Sequence, residues 1–141
     1  MNKRGFSLID VMLTCLLLGT VAGMVLNTWN NFSTHHRLQT ACESLRADVW
    51  RARVAALAGN IPVTVQIRED GQAYSIVEQG ETPAWRELPQ GVKFTSYPKK
   101  NVTFYSRGSI TPAGTYTLAN TAGVIQVIVA ASGRSRWERI G

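Results

Sequence analysis

The sequence predicts an α+β fold in which a long N-terminal helix packs by its outer half onto an antiparallel β-sheet head. Three observations predict it. No proline occurs between Met1 and Ile61, so nothing in that stretch forces a helix to stop. Within it Leu38, Cys42, Leu45, Val49, Ala52 and Ala56 recur at alternating spacings of four and three, which draws one apolar stripe along a helix face. Beyond Pro62 the apolar period changes to two, the mark of strands with one face buried.

The chain opens with Met-Asn-Lys-Arg-Gly and continues into an apolar run from Phe6 to Leu26 that holds a single charge, Asp10. Such a run has the length of a membrane-spanning helix, roughly twenty residues. Lys3 and Arg4 ahead of it favour a cytoplasmic N-terminus and translocation of the remainder of the chain. Three readings of this end compete: a cleaved secretory signal, an ordinary single-pass anchor, and a leader cut just before the apolar run. A secretory signal has a shorter apolar core, although Val21-Ala22-Gly23 has the small residues of a cleavage site. Asp10 is the discriminating residue, because an ionised carboxylate inside hydrocarbon is costly without a partner.

In the outer half of the helix Arg37, Glu43, Arg46, Asp48, Arg51 and Arg53 mostly fall off the apolar stripe, so a sheet is expected to cover the stripe and solvent the rest. Gly59 followed by Asn60, Ile61 and Pro62 ends the helix. The first strands, Val63 to Arg68 and Ala73 to Glu78, form a hairpin across Asp70-Gly71. Further strands are predicted over Val92 to Tyr97, Val102 to Tyr105, Thr115 to Ala119, Val124 to Ala130 and Ser135 to Ile140. Connections this short imply antiparallel pairing.

The 141 residues carry fifteen Lys and Arg against nine Asp and Glu, a formal charge of +6, which points to anionic partners without choosing between nucleic acid and lipid headgroups. The two cysteines, Cys15 and Cys42, lie about 40 Å apart along one helix at ~1.5 Å per residue and cannot bridge each other. Cys42 therefore reads as a free thiol or a packing residue. His35 and His36 adjoin in a polar stretch with no thiol or carboxylate at ligand spacing, so a solvated surface is expected. No nucleophile, metal cluster or Gly-rich phosphate loop emerges. The expected protein is not an enzyme and needs no cofactor or metal.

Charge gathers at the C-terminal end. Past Pro98 the chain holds Lys99, Lys100, Arg107, Arg134, Arg136 and Arg139 against Glu138 alone. Ser132-Gly133 is expected to turn between the last two strands, placing Arg134 and Arg136 on one face about 7 Å apart. Two guanidiniums so spaced suit successive backbone phosphates. Trp137 is expected on the opposite face, packed into the core. An alternative is a solvated hairpin whose arginines guard an edge strand against aggregation.

Two motifs carry a family resemblance. Lys3-Arg4-Gly5-Phe6-Ser7-Leu8-Ile9-Asp10-Val11-Met12 resembles the leader of type IV pilins and pseudopilins, basic residues and Gly followed by Phe-[ST]-Leu-[IL]-Glu-[VL]. Phe104-Tyr105-Ser106-Arg107-Gly108-Ser109 and Gly133-Arg134-Ser135-Arg136-Trp137 resemble the FimT/GspH type of minor pilin and pseudopilin. The resemblance implies residues 1–5 as leader, 6–26 as transmembrane helix, 27–60 as the amphipathic half of that helix and 61–141 as the head. It further implies cleavage by prepilin peptidase between Gly5 and Phe6, methylation of the Phe6 amine, and Asp10 as the carboxylate that pairs with a neighbouring subunit's N-terminus. The family usually has Glu there, one methylene longer. Proline is absent near Asn27, where major pilins often carry it, and no cysteine-closed loop ends the chain. Both departures point to a minor subunit.

Residues 133–136 also resemble the GRxR motif of FimT-like pilins that bind DNA in natural transformation. This implies DNA contacts from Arg134 and Arg136, and by their charge Lys99, Lys100 and Arg107 are expected to extend that patch. The same Gly-Arg turn appears in pseudopilins of type II secretion, which implies the alternative of a structural subunit without DNA binding. The implied partners are other pilin or pseudopilin subunits, prepilin peptidase, the bacterial inner membrane with the head in the periplasm, and DNA.

Overall fold

A computed structural model describes the backbone of residues 7–140 and the side chains of residues 7–24 and 32–140. Lys3, Arg4, Gly5 and Phe6, which carry the predicted cleavage site, lie outside the described residues, as does the side chain of Asn27. One helix, α1 (Leu8–Gly59), runs for 52 residues. The chain divides into two compact units, residues 1–33 and residues 34–141.

In the first unit Ser7 caps α1. Its Oγ accepts from Ile9 N at 3.4 Å and its own N donates to Asp10 Oδ2 at 3.3 Å. The hydroxyl thus caps the second helical residue, while the Asp10 carboxylate supplies the side-chain half of a capping box, with Asp in place of the usual Glu or Gln. Every described side chain from Ser7 to Met24 is exposed. Among the described residues no helix is long and apolar enough to cross a membrane.

The second unit holds the rest of α1 and nine strands among the described residues. They are β1 (Val63–Ile67), β2 (Ala73–Glu78), β3 (Arg86–Glu87), β4 (Lys93–Ser96), β5 (Val102–Phe104), β6 (Ile110–Thr111), β7 (Gly114–Asn120), β8 (Gly123–Val129) and β9 (Ser135–Arg139). They make two sheets, β3-β2-β1-β5-β6 and β4-β7-β8-β9. All pairings are antiparallel. The predicted hairpin is present, with Val63 opposite Glu78 and Ile67 opposite Tyr74. The sequence does not announce β3 and β6, because two residues are too few to show a period.

The predicted stripe is the core of the head. Leu38, Cys42, Leu45, Val49, Ala52 and Ala56 are each no more than 2 % exposed. They cluster with Val63, Val65, Val102 and Phe104 of the first sheet and Tyr116, Leu118, Val127 and Val129 of the second. Phe94 stands edge-on to Tyr74 and Tyr116, each with ring centroids 6.2 Å away, the geometry that sets one ring's positive edge against another's negative face. The helix ends one residue later than its glycine suggests. Gly59 is its last member and Asn60 takes the left-handed position, φ 53°, which asparagine tolerates better than most residues.

Asp48 departs from the expectation of a solvated charge, since it is only 5 % exposed. Its Oδ2 accepts from the Tyr74 hydroxyl at 2.7 Å and from Arg86 Nη1, while Arg51 Nη1 lies 3.2 Å from Oδ1. The donors around this buried side chain offset the cost of removing it from water. Asp48 thus ties α1 to β2 and to the edge strand β3. Burial, reinforced by the carboxylate, raises the Tyr74 hydroxyl above its usual range.

Candidate nucleic-acid interface

The basic end of the head is built on two turns of the same construction. Between β8 and β9, Gly133 N donates to Ala130 O at 2.8 Å and Ala130 N to Arg134 O at 2.9 Å. Between β5 and β6, Gly108 N donates to Tyr105 O at 2.9 Å and Tyr105 N to Ser109 O at 3.0 Å. Each loop closes on a glycine in the left-handed region, Gly133 at φ 74° and Gly108 at φ 76°. A three-residue hairpin loop requires that conformation at its last position. The two turns adjoin, because Ile110 N donates to Ala131 O at 3.2 Å.

Arg53 of α1 lies beneath both. Its Nη1 donates to Gly133 O at 3.3 Å. A Cβ on Gly133 would sit 2.8 Å from Arg53 Nε and 3.0 Å from Gly108 O. Gly133 is therefore fixed twice, by its backbone angle and by the arginine packed against it. Arg53 Nε is itself buried with no hydrogen-bond partner among the described residues.

On this base the predicted residues take their places. Arg107 is exposed at the tip of one turn, and Arg134 and Arg136 are exposed at the end of the other and on β9. Register places Arg136 opposite Ile128 and Trp137 opposite Val127, so the two point to opposite faces as predicted. Trp137 nonetheless does not enter the core and is 40 % exposed. The reason is that β9 is the edge of its sheet, where an inward side chain has neighbours on one side only. Trp137 instead lines an open cleft with His35, Leu38 and Arg139, in which Arg139 Nη2 approaches His35 Nδ1 at 3.3 Å.

Lys99 and Lys100 are exposed on a loop of their own between β4 and β5. The preceding Pro98 packs against Gly114, which pairs with Val129, which in turn pairs with Ser135. Two strand spacings of ~4.8 Å put this loop's anchor about 10 Å from the start of β9. The structure thus brings Arg107 and Arg134 onto adjoining turns and leaves the lysines at the same end of the sheet. Asp10 belongs to the other unit, where it is exposed in the first turn of α1.

Sequence reasoning missed Arg46, Trp50 and Arg53. Together with Glu43, Ala47, Gly133, Arg134 and Ser135 they line an open groove of about 680 Å³ between α1 and the last turn. Arg53 did leave a signal, being four residues after Val49 and three before Ala56, at the margin of the buried stripe. Nothing in the spacing announces the exposure of Trp50.

A long helix whose outer half packs on antiparallel sheets is the architecture of pilin-like proteins. The type IV minor pilin FimU of Pseudomonas aeruginosa has the same fold, with a TM-score of 0.62 and 22 % identity over 76 % of this chain and 92 % of that one. So does the minor pseudopilin EpsH of the type 2 secretion system of Vibrio cholerae, with a TM-score of 0.59 and 13 % identity over 73 % and 97 %. No curated protein sequence matches the chain. The GspH family, described as type II transport protein GspH, matches residues 41–133, and the chain belongs to this family. It is a minor pilin or pseudopilin, a structural subunit that assembles with other pilins.

Proposed function

We propose that the chain is a minor type IV pilin whose head binds DNA without sequence preference during DNA uptake, through Arg134 and Arg136 with help from Arg107, Lys99 and Lys100. The observation that supports this best is the pair of adjoining turns over Arg53, one carrying Arg107 and the other Arg134, both exposed. The turns fix where these two side chains leave the backbone, and a guanidinium's planar fork suits phosphate oxygens. In this reading the arginines and lysines contact phosphates rather than base edges, so binding carries no sequence preference and a steep salt dependence.

In this reading residues 6–26 anchor the chain in the bacterial inner membrane with the head in the periplasm. Prepilin peptidase cuts between Gly5 and Phe6, the new amine of Phe6 is methylated, and Asp10 pairs with the N-terminus of a neighbouring subunit. A carboxylate and an ammonium in hydrocarbon each cost several kcal/mol alone and much less together. The Ser7 amide that holds the Asp10 carboxylate at 3.3 Å is a weaker partner than a charged amine, so exchange on assembly is favourable.

A second reading, a minor pseudopilin of the type II secretion system, draws support from the family match and from the fold shared with EpsH. There the arginines would face other subunits or cargo. Fluorescence anisotropy of a labelled duplex with the full-length chain in detergent micelles separates the two. The DNA reading expects binding at low salt that weakens steeply as salt rises, and a salt slope smaller by about two phosphate contacts in Arg134→Gln with Arg136→Gln. Absence of binding at low salt, or a double variant that binds like the parent, refutes it.

A further inference from the structure

Trp50 is 61 % exposed although its helix buries a continuous apolar stripe next to it. Its place in the groove explains what the ring is available for. Arg46 and Arg53, four residues before and three after, are its neighbours along the helix surface, and Arg134 stands across from it on the far wall. The floor between them is made of small residues, Ala47, Gly133 and Ser135, which leave room over the ring. Glu43 closes one end and is engaged by Gln39, whose Nε2 donates to its Oε1 at 3.2 Å. The volume, about 680 Å³, falls in the range of clefts that take small planar ligands, about 300–1,000 Å³.

We infer that this groove takes an unpaired base of single-stranded nucleic acid, stacked on Trp50, while Arg46, Arg53 and Arg134 neutralise the phosphates beside it. An aromatic face flanked by cations is the arrangement by which proteins hold single strands, since every base offers a π-face and every nucleotide a phosphate. Base pairs in a duplex are stacked on one another and offer no free face to the indole, so the groove discriminates for strands with unpaired bases. Val54 and Leu57 continue the exposed face along α1, which raises the alternative of a second copy of the chain as occupant. Charge opposes it, because the same face of a copy would bring three more arginines against these three.

The inference rests on the nucleic-acid reading above and adds the strand preference. It is tested with the full-length chain in detergent micelles, titrated into a labelled single-stranded oligonucleotide and into the duplex of the same sequence. Trp50→Ala is expected to weaken single-strand binding roughly 5- to 150-fold, the equivalent of one base–aromatic stack, and to change duplex binding by less than about twofold. Trp50→Phe is expected to restore most of the loss. Equal loss for both strands, or no loss for the single strand, overturns the inference. So does dissociation of a self-associated species by Trp50→Ala in sedimentation, which would make the face an interface between copies. A duplex affinity untouched by Arg134→Gln with Arg136→Gln would instead overturn the arginine-hairpin reading, leaving the Trp50 comparison to stand on its own result.

Discussion

Replacing Gly133 by alanine tests the clamp on which the basic end is built. At φ 74° an L-residue with a Cβ pays about 1–2 kcal/mol for the left-handed conformation. The new methyl would lie 2.8 Å from Arg53 Nε, too close for that group to remain, and in tight contact with Gly108 O at 3.0 Å. Gly108 O belongs to a hydrogen-bonded turn, so the arginine is the group that moves. Its bond to Gly133 O, 3.3 Å long and half-buried, then goes, at about 1 kcal/mol. The expected destabilisation is roughly 2–3 kcal/mol.

Gly80 supplies the control. It also has a positive φ, 95°, but a Cβ there meets nothing within 4 Å, so Gly80→Ala carries the backbone cost alone. Urea unfolding of the full-length chain in mild detergent, followed by near-ultraviolet circular dichroism, measures both variants. A double-mutant cycle with Arg53→Ala then isolates the collision: once the guanidinium is gone, Gly133→Ala is expected to cost about 1 kcal/mol less than in the parent. If Gly133→Ala and Gly80→Ala cost the same, or the cycle closes without coupling, Arg53 does not brace the turn and the reasoning fails.

Two further outcomes are expected. Burial raises the Cys42 thiol to about 11, with smaller opposing effects of Glu43 and Arg46, so the folded state holds its proton where an unfolded thiol, near 8.5, has lost it. The associated stability is complete below roughly pH 8.5 and is lost as pH rises through about 11; urea midpoints should fall across that window in the parent, and a Cys42→Ala variant that falls as much would refute the assignment. At the other end, Gly5→Ala should leave the leader attached in cells that express prepilin peptidase. Mass spectrometry of the recovered chain reads this directly, and a methylated Phe6 at the N-terminus of that variant would remove the proposed cleavage site.

Elements with a strong period were legible in the sequence, and those fixed by long-range partners were not. The six stripe residues of α1 could be read as core because alternating spacings of four and three leave one solution for a helix face. The hairpin of β1 and β2 was readable from its alternation and from Asp70-Gly71. Asp48 was misread as solvated because its partners, Tyr74 and Arg86, lie far along the chain. Trp137 was misplaced for a related reason: alternation gives the face of a residue on a strand, but only sheet order tells whether that strand has neighbours on both sides. The division of the head into two sheets has no local signature at all.

The same distinction divides the Gly-Arg motif at the C-terminus. Gly133 is required by the fold, since both its φ and its contact with Arg53 exclude a side chain, whatever the head binds. Gly108 in the other motif serves the same turn geometry over the same arginine. A pilus subunit and a secretion subunit that share this clamp would both keep the glycines, so the glycines say nothing about DNA. Arg134 and Arg136 are different, because they are exposed and neither is needed to shape the turn. Function is therefore to be sought in the charge of those two side chains and in the exposed ring of Trp50. A substitution that spares the glycines while removing those groups separates what the protein is from what it holds.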